Sequence, residues 1–310
     1  MVVNEQNVTL ATFAKFKPEA PIASPDDYAE CRAIMRAASK NYSFASNFLP
    51  VDKLHHVEAL YALMRVGDDR VDVSHEGFAS PLAAIEDWEQ SYWRAFETGD
   101  SPHPVMRAYL NTAVERGIPP ETMAAYFRAM KEDLAITRFP TFDDLMHYMD
   151  GSAIPVGRAM TFILGVRPPY TIEDALPGAD ALSVAMQLSN FWRDIGEDWE
   201  RIGRVYIPQD DMARFNVSEN DLAARRISEN FIRLIEFEIE RTELYDEPAR
   251  RAVTPLAAGQ WGVMSGLEIY RAILTSIRRN RYDVFSRRAS ASAARKLGLV
   301  ARSGWRVLAG

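Results

Sequence analysis

The sequence predicts an all-α protein, and three observations carry that expectation. Apolar residues recur at spacings of three and four through almost every long segment, strand-like alternation is nearly absent, and Gly and Pro fall between the periodic segments. Of the 310 residues, 47% are hydrophobic and 25% charged, which excludes a collagen-like, low-complexity or largely disordered chain.

The elements follow in order along the chain. Residues 1–25 are punctuated by Pro and carry no basic start followed by an apolar run, so they read as a flexible tail and not as a secretory signal. From His56 to Val71, the residues Val57, Leu60, Tyr61, Leu63, Met64, Val66 and Val71 mark one helical face. The segments Pro81 to Thr98, Pro104 to Arg116, Pro120 to Leu134, Asp143 to Leu164, Glu173 to Arg201, Glu219 to Tyr245 and Ala249 to Arg279 have the same periodicity. Pro81 and Pro104 sit at first-turn positions, and Ser218 with Asp221 three residues later forms a helix-start signal. No repeat and no Gly/Ser-rich linker divides the chain, so the expectation is one helical domain over 26–285 followed by a basic tail over 286–310.

The net charge of -7 argues against a nucleic-acid binder, yet the charge is uneven. From Arg278 onward the basic residues outnumber Asp283 enough to give about +8, which leaves an acidic body. That tail is interleaved with Leu297, Leu299, Val300, Trp305 and Val307, so it is expected to support peripheral membrane association. The single cysteine, Cys31, excludes an internal disulfide and cysteine-based zinc sites and favours a reducing, cytoplasmic setting. No stretch approaches the roughly 18 apolar residues of a membrane span. The oligomeric state is not legible.

Two constellations carry chemistry. In the first, Asp68 and Asp72 lie four apart on one helix face with Asp69 adjoining and Arg65 a turn earlier. Such a pair alone is common in an acidic chain. In the second, Asn190, Asp194 and Asp198 form an i, i+4, i+8 stripe on an otherwise apolar helix, with Gln187 just above. A solvated face would mix Lys with Glu; this stripe offers only oxygen donors of the kind magnesium takes together with substrate phosphate. Facing each other across a bundle, the two sets would hold metal, while Lys40, Arg65 and Arg193 supply cations for a diphosphate.

The stretches Ser39 to Pro50 (SKNYSFASNFLP), Tyr61 to Asp72, and above all Gln187 to Asp211 (QLSNFWRDIGEDWERIGRVYIPQDD) closely resemble the squalene and phytoene synthase family. The resemblance runs from about Tyr28 to about Leu297. It implies an isoprenoid synthase fold, a single large bundle around a central apolar cavity, and head-to-head coupling of two polyprenyl diphosphates. By position it implies a metal set of Asp68, Asp69, Asp72, Asn190, Asp194 and Asp198 for Mg2+, with Mn2+ as a substitute. It assigns substrate contacts to Ser39, Lys40, Tyr42, Tyr61, Arg65, Gln187, Asn190, Arg193, Tyr206 and Tyr270. It gives catalytic roles to Arg65, Asp68, Asp72, Tyr148, Asp194 and Asp198.

Aromatic faces such as Tyr42, Phe44 and Phe191 suit an allylic cation kept from water. Small residues at Ala45 and Ser46, on the face of Tyr42 and Leu49, leave room for a long prenyl tail and favour phytoene formation from geranylgeranyl diphosphate. Some departures point elsewhere: Ala38 replaces a common His and Tyr42 a common Phe, while Pro155 and Trp192 resemble the bacterial hydroxysqualene synthase branch. A squalene, dehydrosqualene or hydroxysqualene synthase acting on farnesyl or presqualene diphosphate is the alternative, with NADPH needed only there. A non-catalytic assembly or binding protein on the same fold is the second alternative.

Overall fold

A computed structural model describes residues 21–38, 43, 48–72 and 76–309. Among them there is no strand, only isolated bridges between Arg138 and Val205 and between Val166 and Leu256. The described residues up to Leu134, with Phe162–Gly165, make one compact unit; Ala135–Thr161 and the residues from Val166 onward make a second.

The first unit contains α1 (Pro25–Ala38), α2 (Val51–Asp72), α3 (Pro81–Thr98), α4 (Pro104–Arg116), a 3₁₀ turn (Pro120–Met123) and α5 (Ala124–Glu132). Pro81 and Pro104 open α3 and α4 as expected, and Gly99 and Gly117 close them in the left-handed conformation. Helix α2 packs against α1, α3, α4 and α5, so Ala59, Leu60, Ala62 and Leu63 are fully buried. Trp88 of α3 donates its ring N–H to the Leu63 carbonyl at 3.0 Å, which fixes α3 on the helix that carries the first Asp set.

The second unit contains α6 (Phe142–Ser152), most of α7 (Ile154–Leu164), α8 (Ile172–Ile202), α9 (Gln209–Arg214), α10 (Glu219–Ala223), α11 (Glu229–Glu243), α12 (Asp246–Arg251), α13 (Gln260–Arg279) and α14 (Ala293–Ala309). Helix α8, 31 residues long, starts in a Thr171–Asp174 capping box and stops at left-handed Gly203. It packs on α10, α11, α12 and α13, burying Leu188, Phe191, Trp192 and Ile195. Trp192 donates to Thr242 Oγ1 of α11 at 2.8 Å, so its bulk serves the core.

Three segments that read as continuous are broken. Asp143 to Leu164 divides at Ala153, where the backbone leaves the helical region and Pro155 restarts α7. Glu219 to Tyr245 divides after Ala223, with Arg225 at positive φ and Ser228 capping α11. Ala249 to Arg279 divides before left-handed Gly259. Pro120 to Leu134 opens as a 3₁₀ turn before α5. Residues 293–309, read as tail, form helix α14 against α13, where Trp261 donates to the Val300 carbonyl at 2.8 Å.

Candidate active site

On α2, Tyr61, Arg65, Asp68 and Asp72 follow one another at helical spacing. The side chain of Asp72 lies outside the described residues, as do Ser39, Lys40, Tyr42, Phe44, Ala45 and Ser46. Arg65 donates to Asp69 at 2.5 Å; burial opposes its charge, but this pairing holds its pKa above the ordinary guanidinium value. Asp68 is approached by the Tyr126 hydroxyl at 3.2 Å, and the same hydroxyl lies 2.7 Å from the Met64 carbonyl. Burial, and then the Asp68 charge, raise the Tyr126 pKa well above that of free phenol, so the hydroxyl stays a donor.

Tyr126 reaches this position because residue 67 is glycine: a Cβ on Gly67 would lie 2.2 Å from its hydroxyl oxygen. Gly67→Ala must therefore push Tyr126 off Met64 and Asp68, and the expected cost is about 1–3 kcal/mol. A thermal melt reads this directly, and an unchanged melting temperature would refute the contact.

The α8 stripe is more heavily furnished. Arg193 donates to both oxygens of Asp194, with Nε to Oδ1 at 2.8 Å. Arg288, 94 residues away, closes on the same carboxylate through Nε at 3.1 Å and Nη2 at 3.3 Å, and its Nη1 lies 3.7 Å from Glu197. It arrives there because the chain after α13 runs across α8 at Gly196, where a Cβ would stand 2.9 Å from the Val284 carbonyl. Burial opposes the charge on Arg193, but Asp194 holds its pKa above the ordinary value.

Asp198 has the opposite balance. Burial first, then the charges of Asp194 and Glu197, push its carboxyl up to about 7 against the pull of Arg204 and Arg193. Asn190 sits between these groups and the hydroxyl of Tyr270, whose pKa burial also raises, and Asn190 Oδ1 is buried with no hydrogen-bond partner. Gln187 is half-buried one turn earlier. An orphaned amide oxygen one turn before Asp194, and an electron-rich carboxylate one turn after it, are oxygen donors of the kind a hard divalent cation takes.

The turn after α8 completes the wall. Left-handed Gly203 folds the chain back so that Arg204 N donates to the Asp198 carbonyl at 3.2 Å, while Val205 N donates to Thr137 O at 3.0 Å. Arg204 Nη1 donates to the Tyr206 hydroxyl at 3.0 Å. The Tyr206 ring stacks on Phe191 with centroids 3.8 Å apart and on Phe139 at 5.6 Å, and Tyr148 stands 6.0 Å away. Asp198, Arg204, Tyr206, Phe191 and Ile195 line one small pocket, with room for little more than a water molecule.

Thus Tyr148, Asn190, Arg193, Asp194, Asp198, Tyr206 and Tyr270 gather around α8. Sequence reasoning missed Tyr126, Arg204 and Arg288. Arg204 stood inside the GRVYIPQDD stretch already singled out; Arg288 had no local signal. A separate donor group, His55, His56 and Glu115, is closed by Arg116, whose Nη2 lies 2.8 Å from His56 Nε2.

The described residues, with helices as their regular elements and a stripe of oxygen donors on α8, have the fold of an isoprenoid synthase. The family model of squalene/phytoene synthases matches residues 35–295, and the chain belongs to that family of prenyltransferases. It is 31% identical over 291 residues to the 15-cis-phytoene synthase of Synechococcus elongatus, covering 91% of this chain and 94% of that protein. Among solved structures, a dehydrosqualene synthase bound to a ligand superposes with a TM-score of 0.82 at 26% identity, covering 92% of this chain and 98% of that one. The squalene synthase HpnC of Alicyclobacillus acidocaldarius gives 0.73 at 29% identity, covering 83% and 95%.

Proposed function

We propose that the chain joins two geranylgeranyl diphosphates head to head, through a cyclopropylcarbinyl diphosphate, to give 15-cis-phytoene and pyrophosphate. The observation that carries this reading is the intact ligand stripe Asn190, Asp194 and Asp198 together with the cations Arg193, Arg204 and Arg288. The likeness to the cyanobacterial phytoene synthase over nearly its whole length supports the choice of product.

Asp68 and Asp72 on α2, and Asn190, Asp194 and Asp198 on α8, would hold magnesium, with manganese as a substitute. When bound, the ion supplies positive charge to the departing diphosphate oxygens. The residues do the rest. The C1–O bond of the allylic substrate breaks with its electron pair leaving on diphosphate, and Arg193, Arg204 and Arg288 stabilise that charge, with Arg65 taking the same part beside the α2 carboxylates. The stacked rings of Phe191 and Tyr206 and the buried residues around Tyr148 form an apolar wall that keeps water from the carbocation. A diphosphate also relieves Asp194 of Arg288, whose bonds to the carboxylate are exposed to exchange.

A squalene-type activity on farnesyl or presqualene diphosphate, with NADPH consumed where the product is squalene, is the second reading, favoured by the similarity to a dehydrosqualene synthase and a squalene synthase. Trp192 does not favour it, because its size is absorbed by core packing and by Thr242. A non-catalytic binding role would leave the ligand positions free to drift, and all five are acidic or amide residues here. Product extraction from a host supplied with both diphosphates, with and without NADPH, separates the readings. The expected product is phytoene, formed equally without NADPH; a thirty-carbon product, whether or not it requires NADPH, would overturn the assignment.

A further inference from the structure

We propose that the outer face of α14 docks on an anionic lipid bilayer. No described helix is long and apolar enough to cross a membrane, so the contact is with a surface. The helix is two-sided. Val300 and Ser303 are buried on its inner face, and Gly304 lies against the Trp261 indole, with which a Cβ would be in contact at 3.1 Å. The exposed flank beside that face carries Leu297, Ala301 and Trp305 in line at i, i+4 and i+8, with Leu297 58% and Trp305 75% exposed. Trp261 at the seam with α13 is itself 41% exposed, which widens the apolar strip beside the helix. A solvated helix face has no need of an exposed Leu and an exposed Trp in register. Trp is the side chain that settles at the headgroup level of a bilayer.

Charge decides between lipid and other occupants. Arg295, Lys296, Arg302 and Arg306 lie on α14, and no acidic residue follows Asp283. The nearby Arg279 charge is felt at Arg295, so the cations of the two helices gather at this edge. Pairing the strip with the same strip of a second copy would set basic residues against basic residues, whereas an anionic leaflet meets both the apolar line and its basic flanks. The inference stands apart from the reaction assigned above, because binding needs no turnover.

The test is flotation of the full chain with vesicles of phosphatidylcholine alone and of phosphatidylcholine with about 30% phosphatidylglycerol. The expected result is partition onto the anionic vesicles only, weakened by salt, with indole fluorescence quenched by brominated lipid. The double variant Leu297→Ser, Trp305→Ser is expected to lower that partition about tenfold and remove the quenching, while its melting temperature and its pyrophosphate release stay unchanged. Absence of binding at low salt, binding that the double variant leaves intact, or a dimer in sedimentation velocity that the double variant dissolves would each overturn it.

Discussion

Asp198→Asn is expected to cut magnesium-dependent pyrophosphate release by about 10² to 10³ while making the metal-free protein more stable. The two effects share one cause. Burial and the charges of Asp194 and Glu197 hold the Asp198 carboxyl at about 7, so ionising it in the folded protein works against its surroundings. A carboxyl whose folded pKa is raised stabilises least where it must be charged. The wild type therefore loses stability as pH climbs from about 4, the unfolded value, to about 7, the folded one. The amide is exempt from that loss. The variant's advantage in melting temperature should be absent near pH 4 and reach a few degrees, about 2–4 °C, by pH 7 and above. Added magnesium should raise the melting temperature of the wild type and leave the variant behind. A variant that keeps full activity, or that melts lower than the wild type across this range, would show that Asp198 is no metal ligand but an ordinary buried partner.

Arg241→Ala is expected to give the largest loss of stability. Its guanidinium lies 2.7 Å from Asp211 of α9 and 3.0 Å from Glu238 of α11, between the rings of Phe142 and Phe237 at 4.2 and 4.5 Å. Both carboxylates are buried, and burial already pushes Glu238 up to about 8 in spite of Arg241. Removing the cation strands two acids in the core, at a cost of about 3–5 kcal/mol. The melting temperature should fall by roughly 10 °C at pH 8. The fall should shrink toward pH 4, where protonation leaves less negative charge to strand, and Glu238→Gln in the same background should recover part of it. Equal losses at both pH values would mean that stacking on the two rings, and not charge, is what Arg241 provides. The cluster matters to the site because Thr242, one residue on, anchors Trp192 of α8.

These expectations draw on parts of the molecule that were unequally legible in the sequence. The amphipathic runs of α2, α3, α4 and α8 could be read because helical periodicity, N1 prolines and closing glycines are local signals. The break after Ala223 could not, because residues 219–231 hold neither Gly nor Pro; the break at Ala153 does have Gly151 and Pro155 beside it, but the apolar pattern runs on through both. Helix α14 looked like a tail because its inner face is short and its outer face is itself apolar. In the site, the spacing of Asn190, Asp194 and Asp198 is a property of one helix and needed no tertiary information. Arg288 closes on Asp194 only through the path of the chain across Gly196, and the Tyr126 contact exists only because Gly67 leaves room for it. Such partners are set by packing, which no single segment encodes.

Magnesium titration of pyrophosphate release from geranylgeranyl diphosphate tests the central claim most directly. The purified chain should release none in the presence of a chelator, release it saturably as magnesium is added, and recover with manganese. Release that ignores the chelator, or none from geranylgeranyl or farnesyl diphosphate at any magnesium concentration, would contradict the account.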